Sequence, residues 1–158
     1  MTVKFGRVTA DLWNQSIPLP RQAALAQERQ HLDLLQNFYD ALNRDDLDAA
    51  IRLCDENVEV YQPPEVVAAV PPRGHKDVAS YLRGWFASWH AYSPQPERFI
   101  EAGDQVVVMV HLKARGKGSR FEIEARMADV FTVAHGKIVR FRFYVDRDVA
   151  LESAGVTG

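Results

Sequence analysis

The chain has 158 residues, 47% hydrophobic and 25% charged, the values of an ordinary globular domain, which exclude disorder and a fibrous architecture. Its 19 basic residues are interspersed among 21 acidic ones for a net charge of −2, which argues against nucleic acid as a partner, because such binders gather a basic excess on one face. The opening residues Met1 to Arg7 hold no apolar run able to form a signal-peptide core, and no later stretch reaches membrane-spanning length, so a cytoplasmic protein is expected.

Residues 1–20 carry Gly6, Pro18 and Pro20 without a sustained period and read as an extended arm anchored by Trp13. As a unit of organisation the arm is drawn at 1–27, with one domain over 28–158. From about Arg21, the positions Leu25, Leu32, Leu35, Phe38, Tyr39 and Leu42 recur at steps of three and four, predicting a long one-faced helix that ends near Asn43-Arg44. Asp45 or Asp46 then caps a shorter helix through Leu53, since a carboxylate there accepts the free N–H groups of the first turn. Cys54 shares helical spacing with Leu47, Ala50 and Ile51 and reads as a buried structural thiol. As a lone cysteine it can form neither an internal disulfide nor a cysteine-based zinc site.

Val58–Gln62 is β-rich and stopped by Pro63-Pro64, which predicts a strand followed by a loop to Gly74 that could act as a lid. Val78, Tyr81, Leu82, Trp85 and Trp89 follow helical spacing and predict a third helix, broken by Pro94 and Pro96. A meander of strands follows at about 97–102, 105–115, 120–133 and 137–146, with a short helix at 147–154. Helices first and long strands last imply an α+β fold.

Side chains alternate across a strand, so 120–133 divides into two faces. One holds Phe121, Ile123, Ala125, Met127, Asp129, Phe131 and Val133, and is apolar except for Asp129. A two-residue turn at Lys117-Gly118 would add Val106, Val108, Val110 and Leu112 to that face, with Lys113 opposite Glu122 and His111 opposite Glu124 on the other. A three-residue turn with Gly136 left-handed would add Val139, Phe141, Phe143 and Val145. The outer face then combines charges with Ala128, Val130 and Tyr144, which suits a homodimer interface or a solvated surface equally well. Asp129 is enclosed by Val106, Met127, Phe131 and Phe143. An ionised carboxylate there is costly, so it must take up a proton or find a donor, and a neutral acid in such a pocket can donate to a developing enolate oxygen.

Phe38-Tyr39-Asp40-Ala41-Leu42-Asn43, Asp46-Leu47-Asp48-Ala49, Gly74-His75-Lys76-Asp77-Val78, Asp129-Val130-Phe131, Gly136-Lys137-Ile138-Val139 and Tyr144-Val145-Asp146-Arg147, taken in order, resemble the SnoaL-like branch of the nuclear transport factor 2-like superfamily over residues 28–156. The resemblance implies a cone-shaped, curved, mixed and mostly antiparallel sheet wrapped over three N-terminal helices as an α+β barrel, usually a homodimer. It does not imply one activity. Compared with the superfamily's steroid isomerases, Asp129 falls at the acid that donates to the dienolate. The partner tyrosine falls at Phe38, next to Tyr39, and the proton-shuttling aspartate falls at or beside Tyr61. The Asp-Arg-Asp set of limonene-type epoxide hydrolases falls at Val110, Leu112 and Phe143, so its charges are absent. Asp146, nine residues before Gly155, is similar to a C-terminal pair in SnoaL-type cyclases, but reads more readily as an N-cap for the last helix.

Two functions are therefore expected to compete. One is a cofactor-independent isomerase, cyclase or dehydratase moving a proton next to a carbonyl. Its catalytic candidates are Asp129, Tyr61, Tyr39 and Asp146. Phe38, Trp85, Phe86, Trp89, Val106, Val110, Leu112, Met127, Phe131 and Phe143 would wall a small apolar or carbonyl-bearing molecule. The other is a non-catalytic ligand-binding or association domain, with an epoxide hydrolase a distant third. His31, His75, His90, His111 and His135 lie on different elements without ligand spacing and read as surface or capping groups, so no metal is expected. No glycine-rich phosphate loop suggests a cofactor.

Overall fold

A computed structural model describes residues 19–61 and 70–156. The N-terminal arm up to residue 18, with Trp13, and residues 62–69, which hold the end of the expected strand and most of the loop expected as a lid, lie outside the described residues. Helix α1 spans Leu19–Asn43, beginning two residues before the expected start at Arg21, so the helix runs through the stretch to residue 27 that was grouped with the arm. Its buried stripe is His31, Leu35, Phe38, Tyr39 and Leu42, the three-and-four spacing of one helical face. His31 is therefore no surface histidine: it is buried, with Nδ1 3.0 Å from a Glu101 carboxylate oxygen.

Asp46 caps α2 (Leu47–Arg52) by accepting from the Ala49 N–H at 3.1 Å. Asp45 before it takes the left-handed turn, with φ of 60°. Strand β1 (Cys54–Tyr61), α3 (Gly74–Ala87), β2 (Trp89–Ala102), β3 (Gln105–Gly116), β4 (Ile123–Ala134), β5 (Lys137–Tyr144) and α4 (Arg147–Ser153) complete the chain. The sheet order is β1-β5-β4-β3-β2, with β1 parallel to β5 and the other pairs antiparallel. This is an α+β fold with a mixed, unclosed sheet.

Pro94 and Pro96 do not end a helix, as the spacing predicts, but sit within β2. That strand is at the edge of the sheet, where a missing N–H is tolerated. Asn43, at the last turn of α1, fastens this edge: its Nδ2 donates to Pro94 O at 2.8 Å and Tyr39 O at 2.9 Å, and its Oδ1 accepts from Ser93.

The β3–β4 register differs from expectation by two residues. Val108 faces Asp129, Lys113 faces Glu124 and His111 faces Arg126, because the connection is longer than a two-residue turn. A shift of two preserves which face each side chain occupies, so the inner assignment of Val106, Val108, Val110 and Leu112 holds. In the β4–β5 hairpin the turn is the two residues His135 and Gly136, both left-handed, and a bulge at Thr132/Val133 restores the register that pairs Asp129 with Phe143. The bulge explains why Ile138, rather than Val139, enters the core, while Val145, past the strand end, is exposed.

The main core lies between the inner sheet face and the first three helices, centred on Leu35, Phe38, Tyr39, Val58, Val78, Val106, Phe131 and Phe141. A second core lies on the outer face. Here α4 covers Val107, Met109, Ala128, Val130 and Tyr144 with Ala150 and Leu151, so the apolar residues that suggested a dimer interface are packed within the chain. Asp146 caps α4, accepting from the N–H groups of Asp148 and Val149. At its other end Gly155 is left-handed, with Val156 N bonded to Leu151 O and Gly155 N to Glu152 O, the Schellman closure. The Asp146 to Gly155 spacing is thus the two caps of one short helix. Arg147 clamps α4 down by donating to the Val110 and Met127 carbonyls and to Glu97.

Candidate small-molecule site

A cavity of about 180 Å³ opens between α1, α3 and the inner face of the sheet. Its lining follows from three periodicities. The α1 stripe supplies Phe38, Tyr39 and Leu42, and α3 supplies Tyr81, Leu82, Trp85 and Phe86. Inward strand positions supply Tyr92 and Pro94, Val110 and Leu112, Met127 and Asp129, and Phe141 and Phe143. Trp85 is 42% exposed. Phe86 and Trp85 pack edge-on against Tyr92, with ring centres 5.1 and 5.9 Å apart.

Asp129 is 7% exposed, and among its cross-strand neighbours are Val108 and Phe143. Tyr39, 1% exposed, donates its hydroxyl to Asp129 Oδ2 at 2.5 Å. The Tyr39 ring is fixed by edge contacts with Phe38 and Phe131, at 6.0 and 5.9 Å. Loss of solvation pushes the Asp129 carboxyl up from 3.8 to about 7, against the opposing effect of the Tyr39 hydrogen bond. The Tyr39 phenol is pushed well upward by burial, and further by the charge of Asp129 and the hydrogen bond to it. Burial also raises the Tyr92 phenol to about 12, despite a nearby Trp85 indole N–H. The result is a carboxyl group poised near neutrality beside phenols that stay protonated. It can donate or accept a proton within the physiological range.

The structure brings together Asp129, Tyr39, Phe38, Trp85, Phe86, Val110, Leu112, Met127 and Phe143. The remaining expected residues lie outside the lining. Tyr61 follows Val60 on β1, and because Val60 points into the core its own ring turns to the other face. There it sits under the Arg140 and Arg142 guanidiniums and donates to Glu59. Asp146 is the cap of α4. Trp89 is one layer back, against Trp85 and Tyr92. Val106 and Phe131 face each other across the strands in the packed core. Sequence reasoning missed Tyr92 and Pro94 because it placed no strand before residue 97. The alternation of Tyr92 and Pro94 was the available signal. Leu42, Tyr81, Leu82 and Phe141 also line the cavity, where their spacing alone marks them as core formers.

Among the described residues no group of His, Cys, Asp and Glu side chains could hold a metal ion. Cys54 is buried and its thiol is pushed up to about 12 by lost solvation, which fits a structural role. No described helix is long and apolar enough to cross a membrane.

The family model for the SnoaL-like domain matches residues 35–141. No curated protein matches the chain in sequence. Many solved structures share the fold, three of them as follows. An NTF2-like protein of unknown function from Burkholderia pseudomallei is 19% identical with a TM-score of 0.66, over 78% of this chain and 95% of its own. The Mycobacterium tuberculosis protein Rv0760c, in complex with estradiol-17beta-hemisuccinate, is 17% identical with a TM-score of 0.65, over 75% and 95%. A Catenulispora acidiphila protein with a ketosteroid isomerase-like fold, in complex with trimethylamine, is 14% identical with a TM-score of 0.64, over 78% and 93%.

Proposed function

Because the chain belongs to the SnoaL-like domain family, we propose that its cavity is a small-molecule site and that Asp129 moves a proton to or from an oxygen-bearing substrate next to a carbonyl, as a cofactor-independent isomerase, cyclase or dehydratase. The observation that carries this reading is the buried Asp129 carboxyl, raised to about 7 and held by Tyr39 at the cavity wall. In its ionised form the carboxylate takes the proton from the carbon next to a substrate carbonyl. The neutral acid so formed hydrogen-bonds the enolate oxygen before returning the proton to the enolate at oxygen or at another carbon. The surrounding rings exclude water, which strengthens that hydrogen bond. Two fold relatives hold small organic molecules, estradiol-17beta-hemisuccinate and trimethylamine, which supports a small-molecule ligand for this chain. The charged Asp-Arg-Asp set of an epoxide hydrolase would fall at Val110, Leu112 and Phe143, all of which line the cavity as apolar residues.

The second reading is a binding domain without turnover. It is favoured by one observation: Asp129 is the one carboxylate among the described lining residues, so a two-base relay has no second member there. Deuterium exchange into the α-position of a panel of cyclic ketones, followed by NMR, separates the two. Exchange that Asp129→Asn abolishes while ligand affinity persists supports catalysis. Binding without exchange across the panel leaves the binding domain. A homodimer through the outer sheet face would have to use the ground that α4 leaves uncovered, and sedimentation would detect it.

A further inference from the structure

The walls of the cavity combine one acidic group with a dense set of rings. Eight of the fifteen lining residues are aromatic, and Lys, Arg and His are absent from the described lining. A buried carboxylate normally has a cation or several donors to offset its lost hydration. Here the Tyr39 hydroxyl donates to Asp129, which stabilises negative charge on the carboxylate without neutralising it. The counter-charge is left for a ligand to bring.

We propose that the preferred ligand of this cavity is a small organic cation, an alkylammonium ion, seated with its charge at Asp129 and its alkyl groups against the ring faces of Trp85, Phe86 and Tyr92. The aromatic faces carry negative charge density, so a cation gains from each one it touches, most of all where water is excluded. An anion would place a second negative charge beside Asp129 in a low-dielectric site and is disfavoured. A neutral molecule of the same shape gains from burial of its apolar surface and, when it bears a carbonyl, from a hydrogen bond donated by the protonated acid, but brings no counter-charge to the ionised one. The inference rests on the reading of the cavity as a ligand site, and is independent of the proton-transfer chemistry.

Protonation supports it. The groups facing Asp129 are Tyr39 from α1 and Tyr92 from β2, with Tyr81 of α3 next to Tyr92, while β3 and β5 present Val108 and Phe143. The Tyr39 and Tyr92 phenols are both pushed upward and stay neutral between pH 6 and 8, so in that interval the charge changes at Asp129.

Three ligands of one shape test the proposal: cyclohexylammonium, cyclohexanone and cyclohexanecarboxylate, titrated by calorimetry into the full chain. At pH 8 the ammonium ion is expected to bind at least tenfold tighter than the ketone, and the carboxylate weakest. Moving to pH 6, on the other side of the carboxyl's value of about 7, should weaken the ammonium ion by about tenfold without weakening the ketone. Asp129→Asn should erase the preference while the ketone still binds, and the pH series on the native chain gives the answer even if that variant folds poorly. Ketone binding equal to or tighter than ammonium binding at pH 8 overturns the proposal while leaving a ligand site. Failure of all three to bind overturns both.

Discussion

Tyr39 and Asp129, 90 residues apart in the chain, meet through a 2.5 Å hydrogen bond at the wall of the cavity, with the phenol donating to a carboxyl oxygen. The helix supplies the donor from its buried stripe and the central strand supplies the acceptor from its inner face. Each side chain is there because of the period of its own element.

Tyr39→Phe removes that donor without changing the ring packing. The Asp129 carboxyl should then titrate above its present value of about 7, because the bond that favours its charged form is gone. At pH 8, where the group is largely ionised, the loss should cost about 1–3 kcal/mol of stability. Carbon-13 NMR of the aspartate carboxyls and urea unfolding measure the two effects. An unmoved Asp129 titration would mean the bond does not form in solution.

Asp129→Asn should stabilise the chain at high pH. The native carboxyl, at about 7, lies above its ordinary 3.8, so the folded state holds more protons than the unfolded one between those values. Native stability therefore declines as pH rises from about 4 to 7 and stays low above that. At about 1.4 kcal/mol per pH unit the ceiling is roughly 4 kcal/mol, which Asn regains at pH 8 and loses toward pH 4. Denaturant midpoints of both proteins at pH 4, 6 and 8 check the slope and its sign.

Asp146→Ala separates a cap from a catalytic acid. The side chain accepts from two backbone N–H groups at the start of α4, so its removal should cost about 1 kcal/mol and leave ligand affinity and ketone exchange unchanged. Lost exchange at unaltered stability would instead place Asp146 in the chemistry.

Asn43→Ala should loosen the edge strand that carries Tyr92. Asn43 holds Pro94, Ser93 and the end of α1 together, and its truncation leaves part-buried carbonyls without their donor, at about 1–3 kcal/mol. Amide exchange at Ser93 and Gln95 should accelerate more than at Val108 in the sheet centre. Uniform acceleration across the sheet would contradict this local role.

The α+β class, the α1 stripe from Leu35 to Leu42 and the inner assignments of β3 and of β4 near Asp129 were legible in the sequence because each is a strong period. Leu25, Leu32, Phe121 and Ile123, which the same periods placed on those faces, are instead exposed because they lie beyond the layer that covers them. Asp129 stood out for the same reason: a single charge breaks an otherwise apolar alternation. Pro94 and Pro96 misled because proline ends helices in general but is admitted by an edge strand, and edge position is a property of the whole sheet. The side of β1 on which Tyr61 emerges depended on Val58 and Val60 taking the core side. The cover over Ala128 and Val130 comes from a seven-residue helix whose packing no local pattern announces.

Strand β4 serves two interiors at once, since Asp129 borders the cavity while its sequence neighbours Ala128 and Val130 lie beneath α4. A truncation after Tyr144 would strip a greasy strip of sheet bare directly behind the ligand wall. Recombinant versions of this chain should therefore carry affinity tags at the front, and shortened variants should be expected to clump before they reveal anything about binding.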